Sequence, residues 1–193
     1  MRATVLVLGM LAAVLSPAHA QDAPFAAPEG SVPARLDRAL VVDCAAHGVW
    51  RAPEGWATQR TPDGDVVALA PDGGAVLVRV QTRTRTTHVR TTADFLRIVT
   101  ALVQRWAPGA SLGEVTEHAR SRWHVDRAVQ GNATVRGTSM RVRAESRGER
   151  QLWFAISPAA LSPAVDAAME SYLMLVDHAC LCGYDCDHAP SRP

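Results

Sequence analysis

The chain contains no lysine: all 20 of its basic residues are arginine, set against 19 acidic ones. Arginine throughout is read as the mark of a GC-rich coding sequence rather than of phosphate recognition. Nothing in the near balance of charge suggests a nucleic-acid binder. Long apolar runs are missing beyond residue 15, so nothing further along supplies the roughly 20 apolar residues of a membrane-spanning helix. There is no Gly-x-Ser-x-Gly elbow and no phosphate-cradling glycine loop, which removes two common catalytic frameworks. Cysteine is scarce but even in number: Cys44, Cys180, Cys182 and Cys186.

What the N-terminus does contain sets the compartment. One charge at Arg2, an apolar run from Ala3 to Leu15 and the small-x-small end Ala18-His19-Ala20 describe a secretory signal peptide over residues 1–20. Cleavage after Ala20 leaves a soluble, nearly electroneutral chain that starts at Gln21, has no transmembrane segment and resides in the periplasm or outside the cell. Residues 21–33 are rich in alanine and proline without a period and are expected to be a disordered leader. Residues 34–180 form one domain, and 181–193 a cysteine-containing tail.

Within that domain "ARLDRALVVDCAA" fits a helix or a strand equally. "DVVALAPDGGAVLVRV" is a hairpin, with β-prone runs Val66–Ala70 and Ala75–Val80 around Pro71-Asp72-Gly73-Gly74. Phe95, Ile98, Val99, Leu102, Val103 and Trp106 recur at helical spacing, behind a cap at Thr91 or Thr92 and ahead of Pro108-Gly109. Strands follow on both sides of a turn expected at Gly131-Asn132, then "SMRVRAE" and "QLWFAIS", each alternating apolar with polar or bulky residues. A second helix opens at Ser162-Pro163 with the stripe Val165, Met169, Tyr172, Leu173 and Val176, leaving Asp166 and Glu170 pointing away. The order gives an α+β domain: an antiparallel sheet, hairpin plus meander, with two main amphipathic helices packed on it.

The turn "WRAPEGW", the hairpin, the helix ending "RWAPGA", the strand "VRGTSMRVRA" and the terminal helix together resemble the PsbP-like superfamily, small exported domains related to extrinsic photosystem proteins. The likeness covers Gly48 to Val176. It implies a binding or assembly scaffold with no shared catalytic set, so no active-site residue carries over.

The segment "HACLCGYDCDH" holds the other candidate chemistry. Even cysteines in an exported chain favour disulfides. Carrying the last helical stripe from Val176 to Cys180 turns that cysteine inward, and the favoured pairing joins Cys44 to Cys180 and Cys182 to Cys186. The long loop is worth about 5 kcal/mol and the short one about 2 in the chain-entropy picture. Cys44 with Cys182 or Cys186 stays open. The alternative is a metal site from His178, Cys180, Cys182, Cys186 and His188, although its C-x-C-x3-C spacing differs from the paired C-x2-C knuckles of structural zinc.

Two further features bear on binding. Arg141 and Arg143 share the outer face of one strand, and with Arg79, Arg83 and Arg85 on a neighbour they would make a basic patch. Trp153 lies opposite Leu152, Phe154 and Ile156 and so either packs under a helix or is exposed to a partner. His118 and His124 have no ligand spacing, and Glu114, Glu117 and Asp126 read as a solvated face. The Asn132-Ala133-Thr134 sequon matters only in a glycosylating host. The functional expectation is an exported, non-catalytic binding or assembly module of the cell envelope, with no cofactor, whose partner is a protein or an anionic envelope component. The alternative is a periplasmic metal-binding protein that uses the His178–His188 tail.

Overall fold

Pro71 to Gly74 turn the chain as their chemistry requires: Asp72 Oδ1 accepts from the Gly74 amide at 2.8 Å, and Gly73 adopts the left-handed φ of 65°. This turn joins β6 (Val66–Leu69) to β7 (Val76–Gln81), the expected hairpin. The structure is a computed structural model that describes residues 23–37, 39–44, 48–81, 91–118, 125–147, 151–171 and 173–174. Ahead of the hairpin lie β1 (Val32–Pro33), β2 (Leu36–Asp37), β3 (Leu40–Asp43), β4 (Gly48–Trp50) and β5 (Ala57–Arg60). The ambiguous "ARLDRALVVDCAA" therefore contributes strands at Leu36–Asp37 and Leu40–Asp43.

The best-patterned helix is α1 (Thr92–Trp106), and it closes with a full capping box: Thr91 accepts from the Asp94 amide, and Asp94 accepts in return from the Thr91 amide. The Thr91 hydroxyl and the Arg97 guanidinium beside it hold the Asp94 carboxyl below the usual carboxylate range. Phe95, Val99, Leu102, Val103 and Trp106 are buried. Thr91→Ala is expected to lower stability by about 1 kcal/mol in urea unfolding.

After α1 come β8 (Ser111–Glu117), β9 (Val125–Val135), β10 (Thr138–Arg147) and β11 (Gln151–Ser157), then α2 (Ser162–Glu170) and β12 (Leu173–Met174). The main sheet has eight strands in the order β1-β5-β6-β7-β11-β10-β9-β8, all neighbours antiparallel; a second sheet runs β12-β4-β3-β2. The fold is α+β with three layers. On one face of the main sheet α1 packs on Val67, Val78, Leu152, Phe154, Val142 and their neighbours. On the other, α2 and the small sheet cover Val66, Ala68, Leu77, Trp153 and Ala155 through Val165, Met169, Val41 and Trp50.

Three local expectations are corrected. Gly131-Asn132 is not a turn but lies inside β9; the reversal falls at Arg136-Gly137, both left-handed at φ 49° and 81°. Glycine is needed at 131 for a different reason. A Cβ there would sit 2.7 Å from the Glu114 carbonyl oxygen and 2.8 Å from Val115 of β8, which crosses against it. The second helix stops at Glu170, and Leu173–Met174 pairs with β4 instead of continuing the stripe toward Cys180. Ser171 forces the exit: its hydroxyl accepts from the Arg51 amide at 2.8 Å and donates to the Ala168 carbonyl.

The third correction concerns the leader. Phe25, expected in a disordered segment, is 2% exposed in the main core, and its amide donates to the Gly73 carbonyl at 3.1 Å. Val32–Pro33 pairs with β5, so order begins before residue 34. One aromatic supplies enough buried area to hold a segment that composition alone leaves free. Gly73 is doubly constrained, since a Cβ there would come within 2.5 Å of Ala23 Cβ and 2.9 Å of the Phe25 carbonyl oxygen. Gly73→Ala is expected to cost about 1–3 kcal/mol and to raise proteolytic cutting before Pro28; unchanged protection would refute the seating.

Candidate functional site

Of the residues read from sequence as a wet basic face, Arg79 and Arg143 lie inside the molecule and Arg141 at its half-exposed rim. Strand register brings Arg79 of β7 opposite Trp153 of β11, and Trp153 opposite Glu145 of β10. Period-two alternation puts all three on the face under α2 and the small sheet. Arg143 and Arg147 flank Glu145 on the same side of β10. Arg143 is 4% exposed, Glu145 2%, Arg79 1% and Trp153 0%. Arg143 and Trp153 are therefore covered, and of the three residues expected on a binding surface only Arg141 is partly exposed. Alternation separates two faces but cannot tell a solvated charged face from a paired, covered one.

Three arginines share two carboxylates here. Glu145 Oε2 accepts from Arg147 Nη2 at 2.6 Å and from its Nε at 3.0 Å, while Oε1 accepts from Arg143 Nε at 3.1 Å. Arg143 Nη1 reaches across to Asp166 of α2 at 2.6 Å, and Arg141 Nη1 meets the other oxygen of the same carboxylate at 2.8 Å. Asp166, expected to point to solvent, thus faces the sheet. Arg147 also donates to the Met169 carbonyl at 2.6 Å, near the C-terminal end of α2 where carbonyls lack helical partners. Its guanidinium carbon lies 4.9 Å from the Trp153 ring centroid, and Trp50 meets Trp153 edge-on at 5.3 Å.

The electrostatics follow from this geometry. Burial pushes the Glu145 carboxyl up, but Arg147 and Arg143 outweigh it and hold the group below its ordinary range. Burial likewise works against the charge on Arg143, and Glu145 with Asp166 overcomes it. A second cluster joins the small sheet to the large one: Asp43 of β3 pairs with buried Arg79 and, at 3.3 Å, with Arg60. At the end of α1, Arg105 reaches Asp63 at 2.6 Å and Asp65 at 3.3 Å. Burial dominates at Asp65 and raises its carboxyl above the usual range, although the Gln81 amide and Arg105 oppose it.

Sequence reasoning missed Asp43, Asp65 and Asp166 as members of these clusters. The available signal was an acid at the end of an apolar run, as in "LVVD", where a buried carboxylate needs a partner. Cys44 is half-buried just after β3. His178, Cys180, Cys182, Cys186 and His188 lie outside the described residues, as do Arg83, Arg85 and His124. Among the described residues no group of histidine, cysteine, aspartate or glutamate is arranged to hold a metal ion. No described helix is long and apolar enough to cross a membrane.

Among the described residues, the exposed surface includes Ser111, Glu114, Thr116 and Glu117 of the outer strand β8, the outer side of α1 around Arg97 and Ile98, and Val32 and Leu36 of β1 and β2. The paired interior charges can hold α2 and β3 in register.

No family model and no curated protein matches the chain. Its structure is similar to the solution structure of cyanobacterial PsbP (CyanoP) from Synechocystis sp. PCC 6803, at 15% identity and a TM-score of 0.47, over 76% of this chain and 99% of that one.

Proposed function

We propose that the chain is an exported, non-catalytic binding or assembly module of the cell envelope. The observation that carries this reading is the fate of its charged side chains. Arg79 is buried in an ion pair with Asp43 of the small sheet, and Arg143 and Arg147 with Glu145, while Arg143 also reaches Asp166 of α2. Groups with that role keep the scaffold in one arrangement, and this reading assigns contact with other molecules to the exposed β8 and α1. The leader over residues 1–20 supports export, and an oxidising compartment suits the pairing of Cys44 with Cys180 and of Cys182 with Cys186. Non-reduced mass spectrometry of the mature protein is expected to show no alkylatable thiol; four free thiols, or a bound zinc ion, would favour metal handling by the tail instead.

Affinity capture from envelope extracts, with the mature chain as bait, tests the function itself. A defined component retained in stoichiometric amount is the expected result. Failure to retain anything, together with hydrolytic turnover that scales with the protein, would overturn the reading.

A further inference from the structure

The main sheet ends in two outer strands among the described residues. Among the described residues β8 pairs with β9 alone and forms an outer edge of seven residues, whereas the opposite edge, β1, has two. Apolar surface runs out to this edge: Leu112 and Val115 of β8 and Leu96 of α1 pack on the main core yet are only partly buried. Next to them Glu114 is exposed and has no ion-pair partner among the described residues, and β8 carries two carboxylates and no basic group.

The edge is already held in place. Gln104 of α1 donates to the Ala110 carbonyl at 2.7 Å just before β8, and Glu117 at its far end accepts from Thr92 and Arg127, each at 3.3 Å. Gly131 lets the β8 backbone press against β9 between these ties. A strand ordered before binding spares an incoming segment that entropic cost.

We propose that β8 is a docking edge that takes an extended segment of another protein, with alternating apolar and basic residues, as an additional strand of the sheet. Apolar side chains of that segment would continue the core beside Leu112 and Val115, and basic ones would face Glu114. A second copy of this chain is the wrong occupant, because edge-to-edge pairing would set the acids of one β8 against those of the other. The proposal rests on the reading as a binding module and names its contact surface.

The test uses the full mature protein and three nine-residue peptides: alternating valine and arginine, alternating valine and glutamate, and the first composition with its valines and arginines in separate blocks. The alternating arginine peptide is expected to bind and to slow amide hydrogen exchange across residues 111–117. Glu114→Arg should weaken it roughly tenfold without moving the unfolding midpoint. Equal binding by the glutamate or the blocked peptide, protection elsewhere, or no binding at all would overturn it. If a bait carrying Glu114→Arg retains the same envelope component as the unaltered chain, the edge assignment fails while the binding-module reading stands.

Discussion

Glu145→Gln is expected to lose about 3–5 kcal/mol of folding stability, read as a lower midpoint in urea unfolding. Glutamine nearly preserves the shape, so the loss isolates charge: the carboxylate shared by buried Arg143 and Arg147 would be gone. A buried ion left without its partner costs far more than the intact pair contributes relative to an apolar replacement. Substituting Arg143, Glu145 and Arg147 together with apolar residues of similar volume is accordingly expected to recover most of the loss. Arg141→Gln, at the half-exposed rim of the same layer, should cost less than about 1 kcal/mol.

Acid should act on the same group. The folded Glu145 carboxyl titrates below its unfolded value. Its contribution is therefore complete above the ordinary glutamate range and is lost as pH falls through the depressed folded value. Wild-type stability should decline in strong acid by more than that of Glu145→Gln. Parallel pH profiles for the two proteins would contradict the assignment of the charge.

Trp153→Ala is expected to cost about 3–5 kcal/mol. The indole is fully buried between the sheet and the small-sheet layer, with Trp50 edge-on and Arg147 stacked near its ring. Alanine would leave a large void and remove the aromatic face that Arg147 approaches. Ile98→Ala, on the outer side of α1, provides the contrast, at about half a kcal/mol or less. If Trp153→Ala left thermal and urea unfolding unchanged, the residue would belong to a surface after all. Coupling can be checked with Trp50→Phe/Trp153→Phe double-mutant cycles, where touching residues should depart from additivity.

Several elements could be read from local pattern alone. The β6–β7 hairpin, the capped stripe of α1 and the alternation in β10 and β11 each depend on interactions within a few residues, and composition records those. The ends of elements fared less well. α2 was carried past Glu170 because Tyr172, Leu173 and Val176 keep helical spacing, yet Ser171 is bonded to Arg51 far away in sequence and the chain turns into the small sheet. Gly131 looked like turn chemistry, and only the passage of β8 shows why a side chain is excluded there. The outer strand β8 itself was not recognised, since its two acids and glycine blur the alternation.

By itself the sequence determined the α+β class, the apolar face of α1 and the strand periodicity. Tertiary structure decided what those periodicities could not encode: that the charged side of β10 is covered, that Phe25 is core, and that β8 is an outer strand of the main sheet among the described residues. The physical reason lies in distance along the chain. Asp43 and Asp166 are remote from the arginines they neutralise, and a guanidinium becomes a buried residue only when folding delivers a carboxylate to it.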